Sequence, residues 1–343
     1  MTAPIPPHRL LLDGEALVAN WHALAKLSRR AACGAAVKAD GYGLGAREVV
    51  RRLAAAGARD FFVATWAEAR AVADLAPAVS VLHGVRAEDM GAVRPANVRP
   101  VLNTPAQLTR WREAGGGPCD VMVDTGMNRL GLSPEEAVAL TGGLQVQTLM
   151  SHLACADEDS SMNEAQRAAF AALGGRTSAR RMSLANSAAT ALGEGYAFDI
   201  TRPGLALYGG VPRSELAGLI RPVVRIEAQV LQRRRVSAGG IVGYNAVWTA
   251  ERDTGVAILN LGYADGYRRA FSNIGEAWAG DRRLPVIGRV SMDLIAVDVT
   301  DVGVGEGDWV DVGYRLDAAS AASGASQYEL LTGLGARLPR VWR

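Results

Sequence analysis

Lysine is almost missing from this sequence. Of the 37 lysine and arginine residues, only Lys26 and Lys38 are lysines, and all the others are arginines. The basic residues are balanced by 35 acidic ones, and the net charge of +2 is spread along the chain. The densest basic run, Arg233-Arg234-Arg235, would be divided between two faces if it formed a strand. We therefore expect no nucleic acid among the partners of this protein.

Cysteine and histidine are also scarce. The three cysteines, Cys33, Cys119 and Cys155, are far apart in the sequence and lie in apolar surroundings. This predicts buried free thiols in a reducing cytoplasm rather than a disulfide framework. The four histidines show no ligand spacing with cysteines or carboxylates, so we expect no metal site.

Long apolar runs are missing as well. The sequence contains no stretch of 18 apolar residues, so no membrane span is predicted. The N-terminal segment MTAPIPPHRLLLDGEAL lacks the charged and then apolar regions of a secretion signal. With 49% hydrophobic and 21% charged residues over 343 positions, the chain has the profile of a cytoplasmic globular protein of two domains.

The first two-thirds of the chain alternate between short β-rich runs and helical segments. Predicted strands lie near residues 34–39, 61–65, 79–83, 99–102, 119–124, 146–151, 181–185 and 197–201. Three helical segments begin with capping signatures, at Thr65–Glu68, Thr104–Gln107 and Ser133–Glu136. Eight strand–helix units predict a (β/α)₈ TIM-type barrel over residues 11–215, with a doubly wound open sheet as the alternative.

The sequence changes character after about residue 216. Strand-like runs such as IVGYNAVWTA and GVAILNLGYADGY are separated by turns rich in glycine and aspartate. We therefore predict an all-β domain over residues 216–343. Residues 1–10 are predicted to form an N-terminal strand that is available to pack with this C-terminal domain.

Lys38 ends the first predicted strand, in the segment AAVKADGYGLG. Barrel enzymes keep their chemistry at the C-terminal ends of the strands. A lysine in apolar surroundings becomes an amine nucleophile for carbonyl groups, including the aldehyde of pyridoxal phosphate. The alternative is that Lys38 only extends its charge to solvent, but an arginine would do that equally well. Lys26 lies in an amphipathic helical pattern and is predicted to be a surface residue.

The segment AVKADGYGLG resembles the cofactor-lysine signature of the alanine racemases. Seven further segments resemble family blocks in the family's order: VDTGMNRLG, SHLACADE, LANSAAT, ITRPGLALYGG, LGYADGYRRAFSNIGE, VIGRVSMDL and YELLTGLGARLPRVW. The resemblance covers nearly the whole chain. It implies a pyridoxal 5′-phosphate-dependent isomerase that interconverts L- and D-alanine and supplies D-alanine for peptidoglycan.

The resemblance also implies which groups react. Lys38 would form the internal aldimine with pyridoxal phosphate and act as one base, and Tyr263 of the other subunit would act as the second. The protein would therefore be a homodimer with shared active sites. Because a tyrosine has a pKa of about 10, Tyr263 needs nearby cations to act near neutral pH, and His152 and arginines would supply that influence.

Arg202, in TRPG, is the residue that would contact the pyridine nitrogen of the cofactor. Arginine keeps its proton, so the ring would remain a poor electron sink and transamination would be suppressed. His152 would orient Arg202 and link it toward Tyr263. These roles follow from the resemblance.

Phosphate binding is expected after predicted strands seven and eight, where barrels often hold a phosphate. The residues that fall there are Asn186, Ser187, Gly204 and Leu205. By resemblance, Tyr42 and Tyr328 complete the phosphate shell. Arg129 would bind the substrate carboxylate, as would the backbone N–H of Met292 from the partner chain.

Two positions depart from the family pattern. Many members carry a lysine two residues before the aspartate of DTGM, and carbon dioxide converts it to a carbamate that holds the arginine. Met122 stands there, so Arg129 is expected to be positioned by a bound anion such as chloride or by Asn128. Ser183 replaces a histidine of many relatives and is expected to thin the hydrogen bonds around Arg202.

Three alternatives stay open at the level of the sequence. A broad-specificity amino-acid racemase is one, because the missing carbamate could loosen substrate selection. A pyridoxal-phosphate-dependent decarboxylase of basic amino acids is the second, and Arg202 argues against it because such enzymes favour an acidic partner for the pyridine nitrogen. A single-barrel cofactor carrier is the third, and it would not need the β domain with Tyr263 and Met292.

Overall fold

In the computed structural model, the described residues are 6–91 and 94–343, and they form two compact units. One unit is Ala16–Arg221, and the other is Pro222–Arg343 with the described part of Met1–Glu15. Residues 1–5 of the predicted N-terminal strand lie outside the described residues. The domain limits given above, 11–215 and 216–343, stay a prediction. Every described helix is too short or too polar to span a bilayer.

The elements up to Arg221 alternate between strands and helices. In chain order they are β1 (His8–Leu12), α1 (Gly14–Leu27), β2 (Ala32–Cys33), β3 (Ala35–Ala36), α2 (Lys38–Tyr42), α3 (Ala46–Ala56), β4 (Asp60–Val63), α4 (Trp66–Val72), β5 (Ala78–Val81), β6 (Val98–Leu102), α5 (Pro105–Glu113), β7 (Pro118–Met122), α6 (Pro134–Leu140), β8 (Gln145–Met150), α7 (Ser161–Ala171), β9 (Arg181–Ser183), α8 (Ser187–Ala191), α9 (Glu194–Ala197) and β10 (Ile200–Thr201). Short 3₁₀ turns lie at Ala87–Asp89, Leu205–Tyr208 and Ser214–Leu216.

The parallel strands close into a barrel. One sheet has the order β3-β4-β5-β6-β7-β8-β9, and β2 pairs in parallel with β10. Gly34 separates β2 from β3, so the first barrel strand has β10 on one side and β4 on the other. Hydrogen bonds from Asp199 N to Met182 O and from Arg202 N to Ala185 O join the last two strands. The predicted (β/α)₈ barrel is confirmed.

Local sequence signals account for several helix starts. The predicted capping boxes at Thr65–Glu68 and Ser133–Glu136 are present, and the Thr104 side chain accepts from Gln107 N. Each cap satisfies a backbone N–H that has no partner within its own helix. These caps fix where α4, α5 and α6 begin after their strands.

A charged network fills the barrel interior toward the N-terminal ends of the strands. Asp60 in β4 forms a salt bridge of 2.7 Å with Arg181 in β9, which is possible only across the interior. Arg99 in β6 bonds to Asp60 at 3.3 Å and to Asp120 at 2.8 Å. Ser80 donates to the buried Asp120 carboxylate at 2.6 Å. Each carboxylate therefore has a cation as partner, as buried charges require.

The second unit is built mainly from antiparallel strands. Its further elements are β11 (Val224–Val236), β12 (Thr254–Leu259), β13 (Glu276–Ala279), β14 (Arg282–Ile287), β15 (Ile295–Asp298), β16 (Trp309–Val312), α10 (Leu316–Ser323), α11 (Gln327–Thr332) and β17 (Arg340–Trp342), with 3₁₀ turns at Tyr244–Ala246, Tyr263–Asp265 and Arg269–Phe271. The strand order is β12-β15-β14-β13-β16-β11-β1-β17, and β12 also pairs with β11, which closes a barrel. The N-terminal strand β1 lies antiparallel to β11 and parallel to β17.

Replacing Asp60 should cost this protein much more stability than replacing an exposed aspartate. Asp60→Ala leaves Arg99 and Arg181 without their shared carboxylate, and we expect a loss of about 3 kcal/mol in the free energy of unfolding. Asp74→Ala is the matched control, because the Asp74 and Arg47 side chains are 59% and 56% exposed, and its loss of stability should be clearly smaller because solvent screens an exposed ion pair. Urea unfolding measures both values, and equal losses would contradict the expectation.

The loss should also depend on pH. Burial raises the pKa of Asp60, but Arg181 and then Arg99 outweigh burial and hold that pKa below its ordinary value. The contribution is therefore present above the unfolded-state pKa, about 3.9, and is lost as the pH falls through the lower folded-state pKa. The difference between wild type and Asp60→Ala should shrink in acid.

Candidate active site

Lys38 stands at the start of an unusual backbone turn that directly follows β3. Ala39, Asp40 and Tyr42 have φ values of 52°, 52° and 57°, and Gly41 has a φ of 62°. A run of left-handed residues is costly when three of the four carry side chains. Such strain is retained only where surrounding contacts hold it, and it marks this turn as a candidate functional segment.

Two carboxylates hold this turn. Glu68 accepts hydrogen bonds from Ala39 N at 2.9 Å and from Ala64 N at 2.7 Å. Asp40 accepts from Ala46 N, at the start of α3, at 2.8 Å. The turn after Lys38 is therefore tied to both neighbouring helices.

The amine of Lys38 is shifted toward its neutral form. Burial lowers the pKa of Lys38 below its ordinary value, the charge of Arg129 lowers it further, and Glu68 acts in the opposite direction. A larger fraction of neutral amine makes Lys38 a better nucleophile and base at neutral pH. The structure thus supports the special role predicted for this lysine.

Tyr42 and Gly204 meet at one point of the barrel rim. The Tyr42 ring stacks on Tyr208 with 4.6 Å between centroids, and the Tyr208 hydroxyl donates to Ala36 O at 2.9 Å. A Cβ atom added to Gly204 would lie 2.1 Å from the Tyr42 hydroxyl oxygen. Only glycine leaves room for that hydroxyl, which keeps a backbone segment and a phenol side by side.

Ser187 joins the two loops in which a phosphate was expected. Its hydroxyl oxygen accepts from Gly204 N at 2.9 Å and from Ala206 N at 3.1 Å. Asn186 caps α8 through its side-chain oxygen, and Leu205 begins the buried 3₁₀ turn after Gly204. The predicted residues of both loops are therefore brought together.

Arg202 is a buried cation. Its guanidinium donates to the Ser183 hydroxyl and, at 2.7 Å, to Ser151 O. The Ser183 hydroxyl in turn donates to Ile200 O at 2.6 Å. Ser183 is therefore a direct partner of the guanidinium, and whether it makes fewer hydrogen bonds than the histidine of many relatives stays a prediction.

The charge of Arg202 persists at neutral pH. Burial lowers the pKa of Arg202 to about 10, and the charge of Asp120 opposes that shift. His152, two residues beyond β8, has its pKa lowered to about 3 by burial first and then by Arg202, Arg129 and Lys38. His152 is therefore neutral. Among residues 6–91 and 94–343 no hydrogen bond joins its ring to Arg202, so the orienting role stays a prediction.

Arg129 lies in a turn between β7 and α6 and is exposed. It forms no salt bridge with any described residue. Met122 is buried in β7 and has no charge to offer. Asn128, beside Arg129, has a left-handed φ of 55°. What positions Arg129 therefore stays a prediction.

Tyr263 and Met292 lie in the other unit, where they line one cleft. The cleft has a volume of about 400 Å³, and Tyr244, Arg269 and Arg289 also line it. Tyr263 is 43% exposed and Met292 is 54% exposed. Tyr328, in the first turn of α11, is exposed as well.

The predicted role of Met292 needs a backbone N–H that is available to donate a hydrogen bond. Among the described residues no acceptor bonds to this N–H, whereas Met292 O accepts from Ala264 N at 3.0 Å. An exposed backbone donor beside an exposed tyrosine can bind an anionic group. This agrees with the predicted contact to a carboxylate.

Sequence reasoning missed several residues that shape these sites. Tyr208 and Ser151 were not singled out, although both lie within the segments ITRPGLALYGG and SHLACADE. Glu68 was identified only as a helix cap, because its second contact, to Ala39, depends on tertiary structure. The only available signal for Tyr208 was its place inside the glycine-rich segment ITRPGLALYGG.

Comparison with known proteins identifies the family. The model for the N-terminal domain of alanine racemase matches residues 12–212, and that for the C-terminal domain matches residues 223–342. The chain belongs to the alanine racemase family.

Individual alanine racemases are similar over their whole lengths. The alanine racemase of Acidiphilium cryptum is 44% identical, with 97% of this chain and 98% of that protein covered. That of Jannaschia sp. is 45% identical, with 97% and 98% covered. The crystal structure of the Bartonella henselae alanine racemase, with covalently bound pyridoxal phosphate, is 34% identical with a TM-score of 0.90, covering 99% of this chain and 100% of that one.

Lys38 should lose its proton below the ordinary lysine pKa of 10.5. In cofactor-free protein with the Lys26→Arg substitution, Lys38 is the only lysine and its amine is free, so acetylation across a pH series, read by mass spectrometry of its peptide, reports on this side chain alone. The labelling midpoint should rise in Arg129→Gln, because one repelling charge is removed. Arg47→Gln, at an exposed ion pair, is the control. A labelling midpoint that is the same in Arg129→Gln and in the parent protein would contradict this expectation.

Proposed function

We propose that this protein is an alanine racemase that interconverts L- and D-alanine with pyridoxal 5′-phosphate, acts in the cytoplasm and supplies D-alanine for peptidoglycan. The observation that carries the proposal is Lys38, a half-buried amine with a lowered pKa at the end of a barrel strand. It lies in a chain that belongs to the alanine racemase family over both domains.

The residues around Lys38 fit this cofactor. Lys38 would supply the amine for its aldehyde, and Tyr42, Ser187 and the Gly204 backbone, which meet at the barrel rim, would form a cradle for its phosphate. The cradle depends on the missing Cβ of Gly204, since a side chain there would displace the Tyr42 hydroxyl. Asn186 and Leu205 would complete this wall, and Tyr328 would add a hydroxyl to the phosphate shell.

The reaction requires removal and return of the α-proton of alanine on opposite faces. When bound, the cofactor supplies a conjugated ring that spreads the negative charge left by the α-proton. Lys38 would take or give the proton at Nζ on one face, and Tyr263 would do so at its hydroxyl oxygen on the other. The lowered pKa of Lys38 keeps its amine available as a base.

Arg202 would face the pyridine nitrogen with its charge intact. Burial lowers its pKa only to about 10, so it donates a hydrogen bond without giving up its proton near pH 7. Arg202 would therefore not protonate the nitrogen, and this would limit side reactions that need a strong electron sink. The neutral His152 ring adds no further positive charge beside it.

Alanine would be held by its carboxylate. Arg129 supplies a cation and Met292 a free backbone N–H for that group. Tyr263 and Met292 would act from the partner subunit of a homodimer. The absence of a salt bridge to Arg129 among the described residues favours testing broader amino-acid specificity as a second candidate function.

Alanine should be racemised, and Lys38→Ala should reduce the rate by at least about 10³-fold because the chain contains no other suitably placed amine. Tyr263→Phe should lower racemisation by about 10²–10⁴-fold while exchange of the α-proton of one enantiomer with D₂O continues, since one base remains. Chiral chromatography and mass spectrometry measure both. Equal rates on alanine and on lysine would overturn the alanine assignment.

Shared active sites can be tested by mixing two inactive variants. A heterodimer of Lys38→Ala and Tyr263→Phe chains contains one site with both native residues and one with neither. After co-expression, about one quarter of the wild-type activity should return, because half of the dimers are mixed and each has one intact site. No recovery, with mixed dimers shown by mass spectrometry, would mean that each site is built from one chain.

A further inference from the structure

The segments that carry Tyr263 and Met292 are in direct backbone contact. Tyr263 N donates to Ser291 O and Ala264 N donates to Met292 O, both at 3.0 Å. A Cβ on Gly262 would lie 2.2 Å from Met292 O, so only glycine permits this approach. The position of the Tyr263 hydroxyl relative to the Met292 N–H therefore depends on how these two segments are held together.

A single arginine bridges the two segments. Asp265, two residues after Tyr263, accepts from Arg337 Nε at 2.9 Å. Arg337 Nη1 lies 2.7 Å from Asp293 Oδ1, and Asp293 directly follows Met292. One guanidinium thus binds a carboxylate from each segment, a planar two-sided contact that a lysine cannot reproduce.

Asp265 makes this bridge firm on one side. Its side chain is fully buried, and its second oxygen accepts from Gly262 N at 2.9 Å. The hydrogen bonds to Asp265 and then to Asp293 raise the pKa of Arg337 above its ordinary value. The buried carboxylate therefore has a permanent cation as its partner, as buried charges require.

The strand β1 and the C-terminal segment support the bridge from behind. The Nε2 atom of His8 lies 3.1 Å from Arg337 O and 3.8 Å from Asp265 Oδ1, and its Nδ1 bonds to Asn260 Oδ1. Gly335 N donates to Asp265 O at 2.9 Å. Arg337 is therefore held at its backbone while its guanidinium reaches the two carboxylates.

We propose that Arg337 is a positioning residue, which sets the distance between the Tyr263 hydroxyl and the Met292 N–H by bridging Asp265 and Asp293. The inference rests on the proposed function, in which these two groups serve proton transfer and carboxylate binding. Arg337 itself touches neither the reacting atoms nor the cofactor in this scheme. Its loss should therefore act on both kcat and KM and leave the cofactor bound to Lys38.

The test compares Arg337→Gln, Arg337→Lys and Asp293→Asn with Arg315→Gln. Arg315 forms an exposed pair with Asp317 in the same unit, so Arg315→Gln is the matched control. Arg337→Gln should lower kcat/KM for alanine by about tenfold or more, since small misplacements of reacting groups are costly. The kcat/KM of Arg337→Lys should lie between those of Arg337→Gln and the wild type, and Asp293→Asn should mainly raise KM. The absorption of the bound cofactor should not change in any variant.

A double variant separates the bridge from general damage. If one bridge carries both effects, Arg337→Gln combined with Asp293→Asn should be no worse than Arg337→Gln alone. The proposal would be overturned if the losses in kcat/KM of the two single variants multiplied in the double variant. It would also be overturned if Arg337→Gln and Arg315→Gln had equal kcat/KM. If Arg337→Gln fails to fold, Asp293→Asn still decides, because an unchanged KM would contradict the bridge.

Amide hydrogen exchange tests the bridge without any assay of activity. In holo Arg337→Gln, exchange at Tyr263 and Ala264 should be faster by about tenfold, and exchange in the Lys38 turn should be unchanged. Unchanged exchange at all of these amides would count against the bridge. A wild-type enzyme that does not racemise alanine, but in which Arg337→Gln shows this local loosening, would refute the proposed function and not the bridge.

Discussion

The buried charge of Arg202 is the constraint on which the barrel site depends. This cation has no solvent to stabilise it, so the fold supplies Ser183, the carbonyl of Ser151 and the charge of Asp120. Asp120 is in turn one member of the charged network that crosses the barrel through Arg99 and Asp60. The position and charge of Arg202 are thus linked to the interior of the whole barrel.

The charge of Arg202 also affects ionisable groups of the site. Together with burial it keeps the His152 ring neutral, and burial with the charge of Arg129 shifts Lys38 toward its neutral amine. Arg202 and Arg129 thus keep their charges, while the pKa values of His152 and Lys38 are lowered toward their neutral forms. The strained turn after Lys38 is the other local cost, and Glu68 and Asp40 offset it with hydrogen bonds.

In the second unit, two backbone segments approach each other closely. Gly262 lets the Tyr263 turn lie against Met292 O. Close to that contact, Arg337 donates a charge-assisted hydrogen bond to Asp265. The exposed Tyr263 side chain and the Met292 N–H thus lie on two segments that are joined by hydrogen bonds. In the proposed function, such support would hold the Tyr263 hydroxyl in place for proton transfer.

The sequence by itself determined the alternation of strands and helices, the capping residues at Thr65 and Ser133, and the importance of Lys38. These signals are local, because periodicity, caps and a rare amine are all visible within a few neighbouring residues. It also excluded a carbamate at position 122, since methionine has no amine.

Only the tertiary structure decided which distant residues meet. Ser183 bonds to Arg202 because β9 and β10 become neighbours when the barrel closes. The contact of Glu68 with Ala39 and the bridge from Arg337 to Asp265 and Asp293 join positions that are between 29 and 72 residues apart. Such contacts depend on chain topology, which local sequence patterns do not encode.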